Sequence, residues 1–112
     1  MTTAPPEPVV ALTADDVTAS IFINITQQAP VGTQAAPATS NIYRREASNP
    51  VATAERIVTQ LPAALDYSDY TPRSGVDYAY RVESVAADGT VSSSGWSVNP
   101  VGLYRALYTE TF

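Results

Sequence analysis

The sequence contains no cysteine and no histidine. The first absence excludes disulfides, thiol nucleophiles and cysteine-ligated zinc. The second excludes a Ser-His-Asp triad and histidine metal sites. Stability must then come from packing alone, which for one domain leaves a net margin of about 5–15 kcal/mol. Charge is scarce too. Only 15% of residues are charged, so Thr, Ser, Asn and Gln must cover much of the surface. What charge there is leans acidic, with 11 acidic and 6 basic residues and a net charge of −5. Nucleic-acid binding requires phosphates to be neutralised, so an acidic domain is a poor candidate. Anionic membrane surfaces are disfavoured for the same reason. No apolar run approaches the roughly 20 residues that a spanning helix needs, so no membrane insertion is expected. The N-terminus carries neither a basic residue nor an apolar core segment and does not read as a signal peptide. Work outside a cell would call for a longer parent chain or another route.

A length of 112 residues and a hydrophobic content of 45% suit one domain with one core. Pro5, Pro6 and Pro8 mark residues 1–8 as an extended, Pro-rich linker. Residues 9–14 read as a short strand. From Thr18 to Thr26, Ile21, Ile23 and Ile25 alternate with Ser20, Phe22, Asn24 and Thr26, the period of a half-buried strand. The isoleucine face is taken as core, which puts Phe22 outside as a rim or contact residue. Gln27 to Ser40 reads as a long irregular loop, followed by a strand over Asn41–Glu46 with Ile42 facing in.

Residues 49–61 support two readings. Asn49-Pro50 could open a helix. The alternation over Arg56–Leu61, with β-branched Ile57, Val58 and Thr59, favours a loop and then a strand. The clearest element follows. Tyr78, Tyr80, Val82 and Ser84 share one face and Ala79, Arg81 and Glu83 the other. Asp88-Gly89 then predicts a two-residue hairpin turn, with a return strand from Thr90. Asn99-Pro100 breaks that strand. Residues 101–112 form an extended C-terminal segment with Tyr104, Tyr108 and Phe112 on one face and no evident place in the body. Short strands separated by turn signals argue an all-β sandwich of about seven strands, with extended termini, whose body covers residues 9–100.

Several groups could carry chemistry. Asp66, Asp69 and Asp77 near one corner could offer oxygens to Ca²⁺ or an acid/base pair for glycoside hydrolysis. The absence of a calcium-loop motif, and the habit of Asp to bond its own turn, favour turn roles. No catalytic residue, metal or other cofactor is expected, and the chain reads as non-enzymatic. Tyr78 and Tyr80 read as core and corner. Phe22, Tyr67, Tyr70 and Trp96 are possible surface contacts. Tyr104, Tyr108 and Phe112 are the candidates for a partner interface, because an aromatic face needs cover. Arg44 and Arg45 read as a solvated strand end rather than an anion site.

Asp69 to Val82, with Asp88-Gly89 and Ser92 to Ser94, resembles the late strands of fibronectin type III domains, a family with an immunoglobulin-like fold. The resemblance implies that Tyr78 is the tyrosine of the corner, its hydroxyl bonded to backbone a few residues upstream. It implies too that Tyr80 and Val82 point inward. Ile42-Tyr43-Arg44-Arg45 looks like the third strand of bacterial and phage members. One departure stands out: many members carry a core Trp on the second strand, and the single Trp here is Trp96. Residues 56–62 before Asp66–Tyr70 also look like modules in the minor tail proteins of actinobacterial siphophages. That similarity implies a structural or decoration module of a phage virion, tail-associated, aiding host attachment. Its partners would be other virion proteins, copies of itself and a host cell-surface glycan. The alternative is a carbohydrate-binding or spacer module of a secreted, extracellular bacterial enzyme, with Trp96, Tyr67 and Tyr70 as a sugar platform.

Overall fold

Alternating isoleucines bury one face of a strand and leave the other to solvent, and the rest of the molecule is arranged around that row. The computed structural model describes residues 3–97 and 100–103. The strands are β1 (Val9–Asp15), β2 (Ser20–Thr26), β3 (Pro37–Glu46), β4 (Glu55–Pro62), β5 (Tyr67–Asp69), β6 (Asp77–Ala86), β7 (Val91–Ser93) and β8 (Val101–Gly102). One sheet has the order β1-β2-β5 and the other β4-β3-β6-β7, with β8 on β6. All these pairings are antiparallel. The protein is an all-β, immunoglobulin-like sandwich.

Ile21, Ile23 and Ile25 face Ile42, Tyr78, Tyr80 and Val82 in one buried cluster. Val10, Leu12, Val58 and Tyr67 pack on its edges. Residues 49–61 take the strand reading: a single 3-10 turn over Val51–Thr53 leads into β4. Burying polar atoms costs free energy unless they are bonded, and the core obeys this. The buried Ser40 and Ser84 meet the Gln27 side chain, whose Nε2 donates to Ser40 Oγ at 3.0 Å and whose Oε1 accepts from Ser84 Oγ at 2.8 Å.

Three expectations are corrected. The Asp88-Gly89 bend is a three-residue loop, not a two-residue one. Gly89 N–H donates to Ala86 O and Ala86 N–H to Thr90 O, both at 2.9 Å. Only Gly89 takes a positive φ there, at 90°, and Asp88 Oδ1 instead accepts from the Thr90 amide and hydroxyl. This is a type I turn closed by a left-handed glycine. Second, Leu103 has a place in the body: it is 1% exposed and part of the core, carried there by pairing of β8 with Asp77 and Tyr78. Third, the Pro-rich segment packs rather than dangles. Pro5, Pro6 and Pro8 are buried, Pro6 O accepts from Ser92 Oγ at 3.1 Å, and Thr3 bridges to Gln34. Proline is apolar enough to be buried, which composition alone does not reveal.

Candidate functional site

Two polar assemblies sit on opposite faces of the larger sheet, and adjacent residues of β3 feed them. On the inner side, Asp69 lies opposite Ile21 in the β2–β5 register and is 2% exposed. Its two oxygens receive the Tyr80 hydroxyl at 2.8 Å, Arg44 Nη1 at 2.9 Å, the Thr71 hydroxyl at 2.7 Å and the Thr71 amide at 3.1 Å. Burial pushes the Asp69 carboxyl up, but the Thr71 and Tyr80 bonds and the Arg44 charge outweigh it and hold the group below its ordinary range. The same burial, reinforced by the neighbouring carboxylate, raises the Tyr80 phenol far above its ordinary value. Burial lowers the Arg44 guanidinium, Asp69 more than offsets this, and the net direction is up.

Arg44 lies over the Tyr78 ring at 4.9 Å and also pairs with Glu55 at 3.1 Å. The Tyr78 hydroxyl accepts the Arg73 backbone N–H at 3.0 Å, the corner bond expected of it. Arg73 in turn meets Glu46 at 2.6 Å. An open cleft of about 350 Å³ lies here, but of the arginines on its wall Arg44 and Arg73 are matched by carboxylates and Arg45 is bonded to the Ala47 and Asn49 carbonyls. Asp69 has every oxygen engaged by donors, so it cannot accept a proton from a substrate without breaking the assembly. It acts as a clasp joining β5 to β3 and β6.

The other two aspartates are elsewhere. Asp66 accepts from the Ile25 amide at 2.8 Å and from Asn24 Nδ2 at 3.3 Å. Asp77 opens β6 opposite Gly102. Among the described residues, no three acidic side chains come together as a metal site.

On the outer side of the same sheet, Tyr43 is paired with Arg56 across β4 and with Arg81 across β6. Both guanidiniums lie over its ring, at 5.4 and 4.1 Å. Trp96 extends the row: Arg81 lies over it at 5.6 Å and Arg45 at 4.9 Å. The order is Arg56, Tyr43, Arg81, Trp96, Arg45, cations alternating with rings. A local irregularity places Trp96. Val82 N–H donates to Ser94 Oγ and Tyr80 N–H to Ser97 Oγ, while Ser94 and Ser97 amides donate back to Val82 O and Tyr80 O. Gly95 and Trp96 thus stand opposite the single Arg81 of β6. Gly95, with φ of 76°, absorbs the extra residue. Ala79, on this outer face opposite Arg45, is only 3% exposed.

The electrostatics differ between the two sides. Arg45 Nη1 donates to the carbonyls of Ala47 and Asn49, and its buried Nε has no acceptor. Arg56 donates to the Tyr43 hydroxyl. Arg81 meets Ser93 Oγ, with Glu83 at 3.8 Å. Among the described residues, Arg45 and Arg56 make no ion pair.

The sequence-predicted contact residues are therefore not gathered in one place. Phe22 is 37% exposed on the outer face of the smaller sheet, between Thr13 and Ser68. Tyr67 turns inward opposite Ile23 and packs on the core. Tyr70 is 65% exposed. Trp96 is half-buried among arginines, so the platform of Trp96, Tyr67 and Tyr70 does not form. Tyr104, Tyr108 and Phe112 lie outside the described residues. Arg44 and Arg45 are not one solvated strand end: they serve opposite faces. Sequence reasoning missed Tyr43, Arg56 and Arg81, whose only signal is that each occupies an outward strand position.

No protein-family model and no curated protein sequence matches the chain. Its fold is similar to part of a pectate lyase from Erwinia chrysanthemi, crystallised with tetragalacturonic acid, with a TM-score of 0.65 and 22% identity over 82% of this chain. It is similar as well to part of a pectate lyase from Pectobacterium carotovorum, with a TM-score of 0.66 and 20% identity over 88% of this chain. In each case the chain spans only 28% of the other protein's length. At this identity the likeness concerns the fold alone.

Proposed function

We propose that this chain is a non-catalytic, fibronectin type III-like module displayed on a phage virion, on the tail, where its outward face meets other virion proteins or a host-surface glycan. The observation that carries the non-catalytic reading is the Asp69 clasp. The most buried carboxylate of the sandwich has all its accepting capacity taken by Arg44, Tyr80 and Thr71, which makes it a fastening and not an acid or base. The virion reading draws its support from the tail-module similarity of residues 56–70. Cryo-electron microscopy of the native particle, with mass spectrometry of its proteins, tests it. Symmetric copies of the sandwich on the tail are expected. Recovery of the chain only as a secreted polypeptide joined to an enzyme would overturn it.

That second outcome is the other reading, an accessory module of a secreted enzyme. It is favoured by one observation: the similar solved chains are pectate lyases matched over 28% of their length, as an added module would be. Both readings make the chain a rigid carrier of a surface.

A further inference from the structure

We infer that the Arg56–Tyr43–Arg81–Trp96–Arg45 face is a binding site for an acidic polysaccharide, a polymer of uronate sugars. The inference rests on the module reading above and names the ligand class of its outward face.

The chain has a net charge of −5, and all six of its basic residues are arginine. Of the five described arginines, Arg44 and Arg73 are bound to Asp69, Glu55 and Glu46 at 2.6–3.1 Å. The remaining three are on this face. Their hydrogen bonds run to neutral oxygens of Tyr43, Ser93, Ala47 and Asn49, and among the described residues Glu83 is the one carboxylate paired with any of them. Among the described residues, this face thus gathers the two arginines that make no ion pair, Arg45 and Arg56, beside Arg81, whose one carboxylate partner is Glu83 at 3.8 Å.

Geometry adds a second line. Arg56 and Arg81 flank Tyr43 on neighbouring strands, and Arg45 stands two residues along from Tyr43. Standard sheet spacings put the three positions about 8–10 Å apart at the backbone. The rings hold the guanidiniums against the sheet, so part of their rotamer freedom is lost before a ligand arrives. Guanidiniums so placed suit a row of carboxylates, which they bind through paired N–H groups.

The chemistry selects among polyanions. A duplex carries one negative charge per about 1.7 Å of axis, far more than three arginines can match, and the rest of this acidic chain would repel it. A protein partner would want a desolvated apolar centre. Here both rings are already covered by guanidiniums, and the surrounding positions are Asn41, Glu83 and Ser93. A hydrated polymer with one carboxylate per sugar fits a flat, polar, modestly cationic surface better than either.

Affinity electrophoresis and calorimetry of the full chain test this with three probes: polygalacturonate, its fully methyl-esterified form and oligodeoxythymidylate. Binding to polygalacturonate that weakens with salt and vanishes on esterification is expected. Arg56→Gln should weaken it about five- to tenfold, the size of one partly screened charge-assisted contact. Arg73→Gln, which removes an exposed but matched guanidinium, should leave it unchanged. Glu83→Gln should tighten it about two- to threefold by removing the opposing charge.

Three results would overturn the inference: no binding by a natively folded chain, equal binding of the esterified polymer, or tighter binding of the oligonucleotide. Salt-sensitive self-association abolished by Arg56→Gln would do so as well, since it would assign the face to a second copy. None of these touches the module reading. Cleavage of polygalacturonate by the purified chain would instead defeat that reading.

Discussion

Arg44 and Arg45 are neighbours in the chain, and the pleat of β3 sends them to opposite sides of the sheet. Arg44 turns inward, opposite Tyr80, and meets Asp69 at 2.9 Å. Arg45 turns outward, opposite Ala79, and lies over Trp96, with no ion pair among the described residues. The same side chain is thus part of the frame in one place and free charge in the next. A buried ion pair is tolerated when its remaining valences are bonded, and Thr71 and Tyr80 supply those bonds to Asp69. Outside, water screens the charge, and stacking on a ring with bonds to the Ala47 and Asn49 carbonyls holds it.

The comparison is broken most severely by Asp69→Ala. It takes the buried partner from Arg44, leaving it only the exposed Glu55, and leaves the Tyr80 hydroxyl without its acceptor, and should cost roughly 3–5 kcal/mol in urea unfolding. A cost under about 1 kcal/mol would mean that the clasp holds nothing. Trp96→Ala should cost about 1–2 kcal/mol, because the ring is half-buried and contributes mainly its two cation contacts. A larger loss would make the outer face part of the core. Tyr78→Phe removes the hydroxyl that accepts the Arg73 amide, and should cost about 0.5–1.5 kcal/mol. An unchanged denaturation midpoint would take the corner bond out of the account.

The pH dependence sharpens the same contrast. Asp69 has a lowered pKa, so the folded state holds its proton less tightly than the unfolded state. Its contribution is complete above the unfolded value of about 3.9 and disappears as pH falls through the lower, folded value. Asp69→Asn should therefore flatten the acid limb of the stability profile. Tyr80 has a raised pKa, so its contribution is complete below the ordinary phenol value of about 10 and declines as pH rises above it. Tyr80→Phe should flatten the alkaline limb. Thermal unfolding followed from pH 2 to 11 checks both directions.

What the sequence disclosed was what period two encodes. The isoleucine row, the inward Tyr78, Tyr80 and Val82 and the strand before Leu61 all follow from alternation, and all lie where alternation puts them. Tyr78 could be placed at a corner only through the resemblance of Asp69 to Val82 to the late strands of fibronectin type III domains. The turn at Asp88-Gly89 was half legible: the glycine marks a left-handed residue, but loop length depends on which amides pair. Leu103 gave little sign of burial, since it follows a break at Asn99-Pro100 and stands apart from any apolar run. Asp69 looked like a solvated turn residue, because its burial depends on Ile21 lying opposite. The Arg–aromatic row was invisible for the same reason. Tyr43, Arg56 and Arg81 are far apart in the chain and meet only through cross-strand register.

The most direct test of the central contrast is one urea denaturation series on Arg44→Gln and Arg45→Gln, each at low and high salt. Arg44→Gln should cost roughly 3–5 kcal/mol with little salt dependence, because it leaves a buried carboxylate short of its cation. Arg45→Gln should cost about 1 kcal/mol or less. Equal losses from the two, or a larger loss from Arg45→Gln, would contradict the division of the sheet into a fastened inner side and a free outer one.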